Sequence, residues 1–239
     1  MREVLSLPNV QSDGGYDQLV QRGVLVPELD GESVAFYEGL AAHDDASVSV
    51  SASNVMASAA NQALERGDTE RSAEIARRLS EDFDVAPTAA ERRERLRIMG
   101  NLQDPAMAEP LLEASYDADA NLRGAAARGL RHQSGSDVND RLYELAVDDD
   151  PYVRRNALAT MVEKGMSASQ WESLAPSMAS GVFGSRDETY LLRAVEATEA
   201  GSPARAAALA SVNSVPGLSG RAVQELMQLQ LLHELAQAN

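Results

Sequence analysis

Displaced by 31 residues, the stretch from Asp104 to Lys164 lies over itself as two copies of one unit, and this internal repeat is the strongest constraint on the fold. Leu111 to Ala126 falls on Leu142 to Ala157. Leu111/Leu142, Glu113/Glu144, Asp117/Asp148, Asp119/Asp150, Arg123/Arg154 and Ala126/Ala157 are identical, while Leu122/Val153 and Leu130/Met161 are conservative pairs. A period of this length marks a stacked array of short units, none of which buries its apolar face alone.

Each unit reads as two helices. Thr88, Asp119 and Asp150 recur in register and are good N-cap residues. Thr88-Ala-Ala-Glu91 has the spacing of a capping box, and Pro151 occupies a favoured first-turn position. The helices that follow carry Leu122, Ala126, Leu130 and Val153, Ala157, Met161 as core stripes. Partner helices begin near Asp104, Ser136 and Ser167, with stripes Met107, Leu111, Ala114 and Val138, Leu142, Leu145. Upstream, the spacing predicts helices from about Glu32 to Ala42, from Asp45 to Arg66, and from a cap at Asp68 to about Asp84. The alternation Ser47-Val-Ser-Val-Ser is absorbed into the second of these. Downstream, Ser185-x-x-Glu188 reads as a capping box, Ser202-Pro203 as a helix start, and Ser219 as the cap of a last helix with stripe Val223, Leu226, Met227, Leu231, Leu235. Residues 1–31, with Gly14-Gly15 and Pro27, read as an irregular lead-in. The expected division is 1–31, helical hairpins over 32–86, a repeat core over 87–180, and looser helical repeats or a cap over 181–239.

The motif Asp-x-Asp-x-x-Leu/Val-Arg-x-x-Ala, at Asp117–Ala126 and Asp148–Ala157, resembles HEAT-like repeats, particularly the short bacterial type also found in phycobilin lyases. The resemblance covers residues 88 to 165; Arg186, which continues the arginine series, has no acidic cap four residues before it. It implies an all-α, right-handed α-solenoid of about six stacked helical hairpins. It also implies a non-enzymatic interaction scaffold that works through the concave surface lined by partner helices. A phycobilin-lyase-type enzyme or chaperone is the alternative within the same resemblance. Leu96 to Pro105 is similar to the helical repeats of vitellogenin-like lipid-transfer proteins, which implies a lipid carrier instead.

Charge narrows the partners. With 37 acidic against 21 basic residues the net charge is −16, which disfavours a phosphate backbone as ligand and favours a basic segment of another protein. Lys164 is the sole lysine, a bias consistent with salt adaptation or with codon usage. There is no cysteine, so thiol chemistry is excluded. No run is long enough to span a bilayer. The first residues, Met1 to Pro8, lack a signal-peptide apolar region, which favours a cytoplasmic protein if that N-terminus is native.

Catalytic patterns are missing. His43, His132 and His233 are scattered and lack metal-ligand spacing, and His132 is expected to sit as a cation at a helix C-terminus. No phosphate-binding glycine-lysine loop or serine elbow occurs, and no cofactor is implied. Arg92, Arg123, Arg154 and Arg186 form a ladder expected to pair, at Arg123 and Arg154, with Asp119 and Asp150 of the same helices. The candidate binding residues are acids at equivalent places on successive partner helices: Glu109 and Glu113, then Asp140 and Glu144, then Glu172. Trp171, the only tryptophan, either joins them as an exposed anchor or tucks against the next repeat. Tyr116, Tyr143 and Tyr152 are expected at the seams between repeats.

Overall fold

The computed structural model describes residues 31–43 and 45–238; the irregular segment expected over 1–31 lies outside them, apart from Gly31. The described chain is twelve α-helices with two short 3₁₀ turns and, among the described residues, no strand. It divides into two compact units, one ending at Glu113 and one beginning at Ala114, a division that falls inside the 87–180 segment.

The first unit contains α1 (Gly31–Ala41), α2 (Ala46–Glu65), α3 (Thr69–Asp84), α4 (Ala89–Met99) and most of α5 (Ala108–Ala114), which follows a 3₁₀ turn at Pro105–Met107. Helix α2 is central and packs against α1, α3 and α4. Its small residues allow this, since Ala52, Ala57, Ala59, Ala60 and Ala63 are all buried beside Val55 and Met56. Its serines serve the same end. Buried Ser49 and Ser53 receive the Arg95 guanidinium of α4 at 2.7 and 2.8 Å, so the polar half of the Ser-Val alternation is satisfied inside a helix. Asp45 and Asp68 cap α2 and α3 as expected, with Gly67 at φ +82° making the turn between them. Thr88 accepts the Glu91 amide hydrogen at the start of α4.

The second unit contains α6 (Ala120–Gly129), α7 (Ser136–Ala146), α8 (Pro151–Glu163), α9 (Ala168–Ala179), α10 (Glu188–Ala197), α11 (Pro203–Asn213) and α12 (Gly220–Gln237), with a 3₁₀ turn at Leu130–His132. Two layers result. Helices α6, α8, α10 and α12 pack in succession, while α9 packs against α11, and α7 is held mainly by α8. The stripes read from sequence are the core: Leu122, Ala126, Leu130, Val153, Ala157, Met161, Val138, Leu142 and Leu145 are all buried. Asp119 accepts the Asn121 amide hydrogen and Asp150 that of Tyr152, so both are N-caps. Ser167 and Gln170 complete a reciprocal capping box at the start of α9.

Two expectations are corrected. Ser185 does not cap α10; residues around it form a turn, and Asp187 precedes the helix with its carboxylate turned elsewhere. In α12 the buried positions are Ala222, Leu226 and His233, whereas Met227, Leu231, Leu232 and Leu235 are exposed. The apolar run of α12 therefore covers two faces, of which only one is packed.

Candidate functional site

The arginine ladder is the first place where chemistry collects. Arg123 does not pair with Asp119. Its Nε and Nη2 donate to the two carboxylate oxygens of Asp148, both at 2.9 Å, on the loop that opens the next repeat. Its Nη1 donates to the carbonyls of Asp117 and Ala118 on its own loop. Arg154 repeats the arrangement, with Nη1 on the carbonyls of Asp148 and Asp149 and Nη2 on Asp187 at 2.9 and 3.0 Å. The first Asp of the second motif thus has two duties. Asp148 accepts the Asp150 amide hydrogen at 2.9 Å, which fixes the loop, and receives the arginine of the preceding repeat. Burial would raise the Asp148 carboxyl, but Arg123 and the Asp150 amide outweigh it and hold the group below its usual value.

The last of these junctions is the driest. Arg154 and Asp187 are 7% and 1% exposed, with the Phe183 ring beside the guanidinium. Asp187 also accepts the Gly184 amide hydrogen at 2.6 Å and the Tyr190 hydroxyl. Burial, then the Asp187 carboxylate, raise the Tyr190 phenol above its ordinary value. Arg186 is exposed, and the ladder ends before it. Arg92 instead stacks on Phe83, 4.8 Å from the ring centroid. Arg123 and Arg154 are thus junction residues already occupied by carboxylates and carbonyls.

The candidate binding residues divide. Glu109 and Glu113 are exposed on α5, Asp140 and Glu144 on α7, and Glu172 on α9. Glu144 is partly neutralised by Arg141 at 2.5 Å, which is itself fixed by Ser115 and by stacking on Tyr116 at 3.7 Å. Trp171 is fully buried, so the reading as an exposed anchor is corrected: α9 packs tightly on α11, where Ser211 donates to the Trp171 carbonyl at 3.0 Å. Tyr152 lies on Gly124 at the seam between α6 and α8, and Tyr143 is half-buried beside Gln170 of α9.

The histidines have local tasks. His43 Nδ1 accepts the Asp45 amide hydrogen at 3.0 Å, and His233 Nδ1 accepts that of Gly201 at 3.1 Å. His132 stands at the end of the Leu130–His132 turn, as expected, while burial, then Arg131, lower its proton affinity. Among the described residues no group of three His, Asp or Glu is placed to hold a metal ion, and no helix is long and apolar enough to cross a membrane.

A pocket of about 290 Å³ opens in the second unit between the start of α7, the end of α8 and the start of α9. Its polar wall is Ser134, Gly135, Asn139, Lys164 and Gln170, and its apolar floor is Leu142 and Met161. The Lys164 ammonium donates to the Gln133 carbonyl. Nothing in the repeat pattern marks this site, since Lys164 and the glycines beside it lie outside the motif.

Comparison with known proteins gives a family and little beyond it. The family model for HEAT repeats matches twice, over residues 79–163 and 108–213, together more than half of the chain. That match does not distinguish the phycobilin-lyase branch. No curated protein matches. Among solved structures, the crystal structure of an engineered protein from a structural-genomics programme is similar at 18% identity, covering 87% of this chain and 88% of that one, with a TM-score of 0.44. An all-α solenoid whose repeat motif, core stripes and inter-repeat arginines coincide with the matched segment belongs, as this chain does, to the HEAT-repeat family.

Proposed function

We propose that the chain is a non-enzymatic protein-interaction scaffold whose exposed acids, Glu109 and Glu113 on α5 in the first unit and Asp140, Glu144 and Glu172 on α7 and α9 in the second, each attract basic segments of a partner protein. The supporting observation is that Glu109, Glu113, Asp140, Glu144 and Glu172 are all exposed, while the apolar stripes of the helices that carry them are buried. The helices are thus held by their packed faces and leave carboxylates to solvent. On a chain of net charge −16, such rows steer a cationic partner and bind it in a salt-sensitive way. Asp140 and Glu172 supply most of this in the second unit, because Arg141 offsets Glu144.

The test begins with a partner recovered by pull-down. Its affinity is then measured for a variant with Glu109, Glu113 and Glu144 changed to Gln and Asp140 to Asn, at low and moderate salt. Weaker binding with a shallower salt dependence is expected. Unchanged affinity and salt dependence in a stably folded variant overturn the reading.

A further inference from the structure

Lys164 is the one lysine in a chain with 37 acidic residues, yet no carboxylate of the described residues pairs with it. Its ammonium sits at the C-cap of α8 and has one hydrogen-bond partner, the Gln133 carbonyl. Two of its three donors remain for the pocket it lines. A half-buried cation without a counter-ion is costly, and an acidic protein has many ways to supply one. Here the sequence supplies none.

The opposite wall has the same electrostatic sense. Helix α7 follows Gly135, which lines the pocket and, at the N-cap position with no side chain, provides no side-chain cap. The side chains of Asn139, one turn in, and of Gln170 on α9, whose Oε1 also accepts the Ser167 amide hydrogen, add neutral polar groups. Ser134 contributes a hydroxyl. The proton affinity of His132 next to this region is lowered, first by burial and then by Arg131, with Glu163 opposing and Arg128 and Lys164 adding to the shift. Burial alone lowers the Lys164 ammonium from its ordinary value, which accords with the absence of a neighbouring acid. The floor of Leu142 and Met161 is apolar.

We propose that this pocket binds a carboxylate with a short aliphatic chain, the carboxylate meeting the Lys164 ammonium and the start of α7, the chain lying on Leu142 and Met161. The size agrees with a ligand of a few heavy atoms, since about 300 Å³ is the lower end of small-molecule sites. A free small acid and the C-terminal carboxylate of a peptide both present this chemistry. The site is separate from the acidic rows and does not rest on them.

The probe is sodium butyrate, titrated against the ¹⁵N-labelled protein at constant ionic strength, with butyramide as its neutral counterpart. Saturable shifts of the Gly135 and Gly165 amide signals with butyrate and none with butyramide are expected. Lys164→Gln, which keeps a donor toward Gln133, is expected to weaken binding about tenfold or more, as loss of a charge-assisted hydrogen bond does. A tripeptide ending in valine, compared as free acid and as amide, decides between the two sources: tighter binding of the free acid than of butyrate assigns the site to a peptide terminus, and the reverse assigns it to a small acid. Equal shifts with butyramide, or undiminished butyrate binding by folded Lys164→Gln, overturn the proposal. Should Lys164→Gln fail to fold, acetylation of wild-type Lys164 read by mass spectrometry replaces it. Butyrate then slows acetylation if the proposal holds, and leaves the rate unchanged if it does not.

Discussion

Arg154 and Asp187, 33 residues apart in sequence, form the most deeply buried ion pair among the described residues, with one guanidinium nitrogen 2.9 and 3.0 Å from the two carboxylate oxygens. Removing one partner leaves the other charge buried and unmatched, a change that costs about 3–5 kcal/mol. Arg154→Met is therefore expected to lower stability by that order in urea denaturation. Arg154→Met combined with Asp187→Leu is expected to lose less than the two single changes together, giving a measurable coupling. Additive losses refute direct pairing.

The caps at Asp119 and Asp150 each hold one backbone amide hydrogen of the helix start, so Asp119→Ala and Asp150→Ala are each expected to cost about 1 kcal/mol. Asp148→Ala is expected to cost more, because it frees both the Asp150 amide and the Arg123 guanidinium. Denaturation midpoints of the three variants give the order. If Asp148→Ala is the mildest, the dual role is wrong.

Which of these features could be read in advance depends on whether they are local. The caps and stripes were legible, because capping and helical periodicity act within a few residues of each other, and Asp119, Asp150, Leu122 and Val153 all fall where the 31-residue offset puts them. The arginine partners were not. A helix places Asp119 four residues before Arg123, and nothing local says that Asp148 is nearer. Arg154 was harder still: the offset that links Arg123 to Asp148 leads from Arg154 to Ala179, and its true partner, Asp187, follows a longer loop. Trp171 was ambiguous because its position matches exposed Asn139, while the packing of α9 on α11 decides its fate. The Lys164 pocket was invisible, being formed by the ends of three helices rather than by any run of residues.

Gly124 sits inside α6, where alanine is the better helix former by about 1 kcal/mol. A Cβ there would lie 2.4 and 2.5 Å from ring carbons of Tyr152. Overpacking of this kind costs about 1–3 kcal/mol, so Gly124→Ala is expected to lower the thermal midpoint despite its helix propensity. Adding Tyr152→Ala removes the clash and is expected to restore part of the loss. A rise in the midpoint for Gly124→Ala alone refutes the close approach.

Tyr190 gives the structure a signature at high pH. Burial, and then its hydrogen bond to Asp187, raise its pKa above the ordinary value of 10.0. A proton held more tightly when folded contributes stability that is complete below pH 10 and is lost as pH rises from there toward the folded value. One of the six tyrosines should accordingly ionise later than the rest in an ultraviolet titration, and only as the protein unfolds. Tyr190→Phe should remove that late step. A late step that persists in the variant refutes the assignment.

The arginine junctions also give the stack a polarity. At each, the cation belongs to the earlier repeat and the anion to the loop of the later one, and each side is positioned by its own backbone before the two meet: Arg123 and Arg154 by loop carbonyls, Asp148 and Asp187 by amide hydrogens. Two repeats brought together head to head would oppose guanidinium to guanidinium, and tail to tail, carboxylate to carboxylate. Neither mismatch has an opposite charge to relieve it, so the junction chemistry permits only the order in which the chain is synthesised.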